Sequence, residues 1–151
     1  MASSPVPLCS RSRTRKSDAS VHRLSPPVVQ IDGPRAFVEL PAAIEVRTEV
    51  DGVPADLTSY TRVLYRLEHR APDWRITTLT CVYERGTLTP AVPGRPLTLD
   101  PAEPAAFRPP YALLAWHLNR RGYQVSPDLL GDDQPERTAQ LYAGLREWLH
   151  G

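Results

Sequence analysis

The stretch that decides the fold is residues 35–83, which read RAFVELPAAIEVRTEVDGVPADLTSYTRVLYRLEHRAPDWRITTLTCVY. In its first third, apolar residues occupy every second position and charged residues are frequent between them. The apolar set is Ala36, Val38, Leu40, Ala42, Ile44, Val46 and Val50, and the alternate set includes Glu39, Glu45, Arg47 and Glu49. Because side chains on a strand point alternately to its two faces, this pattern predicts a long strand with one apolar and one largely charged face.

Turn residues divide the rest of this stretch into further strands. Asp51-Gly52 is typical of a tight hairpin turn, since glycine adopts positive φ at little cost. Ala71-Pro72-Asp73 predicts a second turn, and Glu84-Arg85-Gly86 predicts a third. We therefore expect two more antiparallel strands, over about residues 57–69 and 74–83.

Two features predict that the sheet is bent. Pro41 has no N–H for a strand ladder, so it indicates a bulge, a bend or an unpaired edge. In the third strand the apolar residues change parity between Ile76 and Leu79, which requires an extra residue near Thr77-Thr78. Bulges curve a sheet, and we expect a ligand to lie on the concave side.

Composition and charge separate a basic amino-terminal tail from the rest of the chain. The 151 residues suit one domain, but 17 of them are proline, about twice the usual share of roughly 5%. Residues 1–27 carry five cationic side chains against Asp18, a net charge of +4, which leaves −3 for the remainder of a chain whose total is +1. We expect residues 1–25 to be disordered. The domain has no basic stripe for nucleic acid and no apolar run of the roughly 20 residues that span a bilayer, so a cytoplasmic protein is expected.

The second half of the chain predicts a proline-rich linker and two helices. Residues 95–110 are expected to follow the surface without regular structure. Pro109-Pro110 favours a helix start, and Gly122 is placed to end that helix. Asp133 and Glu136 have the spacing of a capping box before a final helix. Its apolar stripe, expected to pack on the convex or open side of the sheet, comprises Leu141, Tyr142, Leu145, Trp148 and Leu149.

These elements predict an α+β domain, with a curved antiparallel sheet of about four strands and two C-terminal helices packed on it. The first strand is expected over residues 28–31. The predicted parts are a tail (1–25), the sheet (26–94), the linker (95–110) and a helical extension (111–151). Cys9 lies in the tail and Cys81 in a strand, so no disulfide is expected and Cys81 is predicted to be a small buried residue.

A series of short motifs in residues 22–94 has the order and spacing of a known family. They are Val28-Val29-Gln30-Ile31-Asp32-Gly33-x-Arg35-Ala36, Glu45-Val46-Arg47, Asp51-Gly52, the strand over 60–70, and Asp73-Trp74-Arg75-Ile76. Together they resemble the SnoaL-like branch of the nuclear transport factor 2-like superfamily. The resemblance implies a cone-like fold whose mouth is closed by amino-terminal helices. Residues 1–25 show no helical periodicity, so the C-terminal helices substitute, a partner closes the cone, or the chain is a shortened member.

The resemblance implies a pocket for a small, mostly apolar molecule, with proton transfer of the isomerase, cyclase or dehydratase type as an activity of some members. No catalytic motif of the family matches securely, so the candidates come from the polar strand faces. Glu45 and Tyr60 are the candidate catalytic residues, because a carboxylate near a tyrosine hydroxyl in an apolar cone can act as a proton shuttle. The candidate pocket residues are Glu39, Arg47, Arg62 and Arg66.

Other interpretations remain open. The same polar residues fit cross-strand ion pairs on a solvated face. The whole chain also fits a non-catalytic interaction module that forms a homodimer through its sheet, or a truncated family member without activity. His69 is expected at a solvent-facing strand end and His117 on an exposed helix surface. We expect no cofactor and no metal, because there is no glycine-rich phosphate loop and the aspartates at 128–133 lack the spacing of an EF-hand loop.

Overall fold

A computed structural model describes residues 19–151 as five strands followed by helices. The strands are β1 (Ser20–Leu24), β2 (Val28–Asp32), β3 (Arg35–Val50), β4 (Val53–Arg70) and β5 (Asp73–Pro90). The helices are α1 (Ala102–Ala105), a 3₁₀ turn (Pro109–Tyr111), α2 (Ala112–Arg120) and α3 (Pro135–His150). The predicted α+β class with a curved antiparallel sheet is confirmed. None of the helices within the described range is long and apolar enough to cross a bilayer.

Three long strands form a meander, and two short ones share the outer edge of β3. The β3–β4 turn has positive φ at both Asp51 (47°) and Gly52 (77°), as a two-residue hairpin turn requires. On its other side β3 pairs antiparallel with β2 over residues 35–39 and with β1 over residues 42–46. Pro41 lies between these two ladders, and its carbonyl accepts a hydrogen bond from the Ser25 amide (2.9 Å). The missing N–H of proline therefore falls where neither short strand needs it.

The β4–β5 ladder contains the predicted bulge and a second one. Its register skips Thr77 between the pairs Arg66↔Thr78 and Leu67↔Ile76, which confirms the bulge near Thr77-Thr78. A second skip falls at Glu84, where we expected a turn. That expectation is wrong, because Glu84 is the extra residue of a bulge and β5 continues to Pro90. Both bulges increase the local twist of the sheet.

The predicted tail extends too far along the chain. We expected disorder through residue 25, but Ser20–Leu24 forms β1 and pairs with β3. The remainder of the predicted tail, residues 1–18 with Cys9, lies outside the described residues. The short strand was missed because its five residues are all exposed and show no apolar alternation.

The helices pack on opposite faces of the sheet and at opposite ends. We call the face with the even residues of β3 and the odd residues of β4 the apolar face, and the other the polar face. Near the β3–β4 turn, α2 packs Leu114 on Val46 and Leu57 of the apolar face. At the other end, α3 packs Leu145 on Phe37 and Leu64 of the polar face. The predicted α3 stripe thus packs on the sheet, with Leu145 and Leu149 buried, but it does so on the charged face.

Three local expectations in the second half are corrected. The segment 95–110, expected to be irregular, contains the short helix α1. The capping box is wrong, since α3 starts after Gln134 without a side-chain cap and the Asp133 carboxylate instead accepts hydrogen bonds from Arg108. His117 is buried, not exposed. The start near Pro109-Pro110 is confirmed, with the 3₁₀ turn leading into α2.

The segment over residues 127–134 is held against the edge of β5. Tyr83 exchanges backbone hydrogen bonds with Leu130 and Asp132, both 2.9 Å. The Tyr111 hydroxyl donates to the Pro127 carbonyl (2.8 Å). Gly131 is buried in this segment, and a Cβ placed there would lie 2.7 Å from Cγ of Pro110. The absence of a side chain at residue 131 is therefore a packing requirement.

Substituting Gly131 of this segment and Gly144 of α3 is expected to change stability in opposite directions. Gly131→Ala forces Pro110 or the backbone to move and should destabilise the fold by about 1–3 kcal/mol. Gly144→Ala, within α3, meets nothing closer than 3.9 Å and should stabilise it by about 0.5–1 kcal/mol through helix propensity. Urea unfolding of both variants measures the difference. Equal stability of the two would contradict the close packing of residues 131 and 110.

Candidate functional site

The strand register places all six candidate residues on the polar face. Glu39, Glu45 and Arg47 are odd residues of β3, and Tyr60, Arg62 and Arg66 are even residues of β4. The ladder between β3 and β4 is unbroken over this range, so no slip moves any of them to the other face. Helix α3 covers one end of the face, and it divides the candidates into a solvated group and a partly buried group.

The solvated group lies near the β3–β4 turn and consists of Glu45, Tyr60 and Arg47. Arg23 Nε donates to the Glu45 carboxylate at 2.6 Å, and Arg47 pairs with Asp56. The Tyr60 ring lies under the Arg85 guanidinium, 4.5 Å from its carbon. Glu45 and Tyr60 are diagonal neighbours across the strands, but each contacts a different cation. Their joint role as a proton shuttle stays a prediction.

The Glu45–Arg47 region lines an open groove beside the end of β1, of about 380 Å³. Its ion pairs are solvent-exposed, and exposed pairs of this kind contribute little to stability. The hydrogen bond of Arg47 with Asp56 raises the pKa of the Arg47 guanidinium. This group stabilises a strand edge more than it builds a binding site.

Arg62 is the centre of the partly buried group. Its Nε donates to Glu84 (2.9 Å), one Nη donates to the Tyr142 hydroxyl (3.0 Å), and the other Nη bonds Asp132. The side chain is only 21% exposed. One guanidinium thereby joins β4 to β5, to the 127–134 segment and to α3. Burial alone would lower the pKa of Arg62, but Tyr142, Asp132 and Glu84 together outweigh that effect and raise it.

Tyr142 connects this centre to Glu39. Burial raises the pKa of the Tyr142 phenol, its hydrogen bond to Glu39 adds to that increase, and Arg62 opposes it. The phenol therefore stays protonated near neutral pH, donating to the carboxylate and accepting from the guanidinium. Such a group can donate a hydrogen bond to a ligand but does not serve as a phenolate base.

Arg66, the last candidate, binds the C-terminal half of α3 to the sheet. Its guanidinium donates to the Gly144 carbonyl (3.3 Å) and lies 5.3 Å from the centre of the Trp148 ring. Arg35 contacts the same ring and donates to the Trp148 carbonyl (2.7 Å). These contacts assign Arg66 to helix packing, through cation–π and backbone contacts.

An open groove of about 400 Å³ runs along α3 beside the Arg62 centre. Its lining residues are Asp132, Pro135, Thr138, Ala139, Tyr142 and Arg146. Sequence reasoning found Glu39 and Arg62 but missed Glu84, Asp132 and Tyr142 as their partners. These side chains come from segments 22 to 80 residues away from Arg62, and no local spacing marks them. In the described part of the chain, no cluster of three His, Cys, Asp or Glu side chains could hold a metal ion.

A second surface lies on the apolar face, at the end that α2 leaves uncovered. We call it the apolar patch. The strand register groups its exposed members around a half-buried centre. The exposed members are Leu24, Val29, Ile31, Ile76 and Leu79, and the centre is Val38, Leu40, Val63, Tyr65 and Leu67. Ile31 is 62% exposed and Leu79 57%, although both belong to the type usually buried.

The apolar patch is four strands wide and free of charged side chains. Strand spacing and rise give it a projected size of about 15–20 Å by 20 Å. Its two ends carry His22 and the pair His69–Trp74, whose rings lie 5.2 Å apart. His69 is exposed at a strand end, as expected. Cys81 is half-buried at the margin of the patch, and burial raises the pKa of its thiol.

No protein-family model matches the chain. Among curated proteins it is similar to Pea pathogenicity protein 2 of Fusarium vanettenii, with 28% identity over 130 residues. The match covers 82% of this chain and 56% of that protein, so the chain spans little more than half the length of the relative it matches.

Removing the Arg62 side-chain charge should destabilise the fold far more than removing that of Arg47. Arg62→Met leaves Glu84, Asp132 and Tyr142 without their shared donor, and we expect a loss of about 1–3 kcal/mol. Arg47→Met breaks one solvent-exposed pair and should change the free energy of unfolding much less. Urea unfolding at neutral pH compares them. Similar losses in both would show that the Arg62 centre is not a connected unit.

Proposed function

We propose that the chain is a SnoaL-like interaction module that forms a homodimer through the apolar patch. The single observation that carries this proposal is the patch itself: a contiguous apolar surface, most exposed at Leu24, Ile31 and Ile76. Soluble monomers rarely expose apolar patches larger than a few hundred Å², and larger ones mark interaction sites. The resemblance to the SnoaL-like branch supports the same assignment.

The chemistry of the patch favours a second copy as the partner. Its strands contribute no Lys, Arg, Asp or Glu side chain to this face, so a charged partner surface would be desolvated without compensation. An identical patch is apolar over the same outline and meets it around a two-fold axis in the plane of the sheet. The projected area of about 300–400 Å² is below the roughly 800 Å² per partner of a stable complex, so the dimer is weak and concentration-dependent.

The Glu39–Tyr142–Arg62 arrangement favours a second candidate function. A small, mostly apolar molecule would bind beside α3, with the Tyr142 hydroxyl turning from Glu39 to donate its one hydrogen bond to the carbonyl of that molecule. The Glu39 carboxylate, released from Tyr142, would take a proton next to that carbonyl and return it to another carbon. This reaction belongs to the isomerase, cyclase and dehydratase type. The groove is open to water, which weakens electrostatic stabilisation inside it, so the dimer is the better supported proposal.

The dimer is tested by placing a charge in the patch. Ile31→Glu should abolish dimerisation, because the interface would bury an unpaired carboxylate. Val92→Glu makes a similar change at an exposed position after β5 and outside the patch, so it should behave as the wild type. Sedimentation velocity over a concentration series measures the assembly. A wild type that stays monomeric throughout, or an Ile31→Glu variant that dimerises equally well, would overturn the proposal.

The second candidate is tested with small cyclic enones, whose α-proton a carboxylate can abstract. Glu39→Gln should slow the exchange of this proton for deuterium in D₂O about tenfold or more, as measured by proton NMR, whereas Glu45→Gln should leave the exchange rate unchanged. Amide chemical-shift titration of α3 reports the binding. Absence of enone-induced shifts in the wild type, or equal effects of the two substitutions, would remove the groove as a site.

A further inference from the structure

The outer edge of β5 is a long, largely unused hydrogen-bonding edge. On its inner side β5 pairs with β4 along its whole length. On its outer side, among residues 19–151, one isolated parallel bridge joins Tyr83 to Gly131. Among residues 19–151, no strand lies beside this outer edge between Asp73 and Val82. Edges of this kind are templates for pairing with another chain.

The bridge at Tyr83 fixes which backbone groups point outward. Tyr83 uses both its N–H and its carbonyl to bond Leu130 and Asp132, so both groups face away from β4. Outward and inward groups alternate along a strand, which makes Cys81 and Leu79 outward as well. The bulge at Thr77 shifts the alternation by one residue, and Ile76 and Trp74 are then the outward positions.

The side chains along this edge favour pairing. Residues 74–83 read WRITTLTCVY, a run of aromatic, β-branched and threonine residues without proline. Arg75 is its only charged side chain. Edge strands that avoid pairing carry charged side chains, prolines or bulges, and residues 74–83 have only Arg75 and one bulge of this kind. The bridge with Gly131 is an example, within the chain itself, of this edge accepting a neighbour.

We infer that the β5 edge over residues 74–81 pairs with the same edge of a second copy. Two identical edges that meet around a two-fold axis must run antiparallel. In that arrangement Ile76 pairs with Leu79 and Trp74 with Cys81 of the other copy, giving about eight backbone hydrogen bonds. The two Arg75 side chains lie about 14 Å apart, beyond the Debye length of about 8 Å at physiological salt, so they do not oppose the pairing.

This interface goes beyond the proposed dimer and is separate from it. Its two-fold axis is normal to the sheet, whereas the axis of the patch dimer lies in the plane of the sheet. Two perpendicular two-fold interfaces generate a tetramer of D2 symmetry when their axes intersect. Edge pairing also joins the Ile76 and Leu79 side chains of two copies, which makes the apolar patch continuous across the pair.

A matched pair of substitutions separates the edge from the patch. Leu79→Pro removes an outward N–H, and proline is tolerated at edge positions whose N–H faces away from the sheet. Leu79→Thr removes the same apolar side chain but keeps the N–H. We expect Leu79→Pro to raise the dissociation constant of the edge contact at least tenfold relative to Leu79→Thr. Sedimentation velocity measures assembly, and circular dichroism checks that both variants fold.

Amide exchange of the wild type gives an independent measurement. The outward amides of Ile76, Leu79 and Cys81 should exchange at least tenfold more slowly at high than at low protein concentration, while inward amides such as Thr78 stay protected at both. Equal assembly of the two Leu79 variants would overturn the edge contact, and so would outward amides that exchange at the same rate at every concentration. Ile31→Glu changes the apolar patch and leaves the β5 edge intact. If the patch dimer does not form, the edge contact can therefore still be tested on its own.

Discussion

The structure depends on the register between β3 and β4. Sixteen consecutive pairs run without a skip from Arg35↔Glu68 to Val50↔Val53, and the turn at Asp51-Gly52 fixes their phase. A slip of one residue in β3 would turn its side chains to the other face, placing Glu45 or Arg47 under α2 in place of Val46. Because the cost of burying charges without partners is several kcal/mol each, only one register is compatible with the helices that follow.

The placement of the helices follows from this register, and it determines which surfaces stay open. Helix α2 finds an apolar surface of small and branched residues near the β3–β4 turn, and its Trp116 packs on Val50 and Ala55. Helix α3 packs on a face that carries charges, which it satisfies with Tyr142 and backbone carbonyls. Two surfaces of the sheet are left without a helix. One is the polar face near the β3–β4 turn, whose ion pairs are solvated, and the other is the apolar patch at the opposite end of the apolar face.

Much of the sheet could be predicted from sequence, because alternation and turn residues are local signals. The parity change between Ile76 and Leu79 located one bulge correctly, while the second was mistaken for a turn because Glu84-Arg85-Gly86 has turn-like composition. The capping box failed since Asp133 has a stronger partner in Arg108, which is distant in sequence. The Arg62 centre could be predicted only in part, because its contacts with Glu84, Asp132 and Tyr142 depend on how three later segments return to the sheet.

The bulges link the fold to its surfaces. At Thr77 the extra residue keeps Ile76 and Leu79 on the same face despite their opposite parity, so the apolar patch extends along β5 instead of ending halfway. At Glu84 the second extra residue keeps Tyr83 and Leu88 on the apolar face despite their opposite parity, so Leu88 packs beside Leu57 and the Tyr83 ring meets Tyr111 at 5.6 Å. Without the first bulge, and with Leu79 in its present place, the outer half of β5 would present Thr77 and Arg75 to the patch. Without the second, Leu88 would point to the polar face and leave the cluster around Leu57. Each bulge thus keeps the apolar side chains before and after it on one face, where they contact their neighbours.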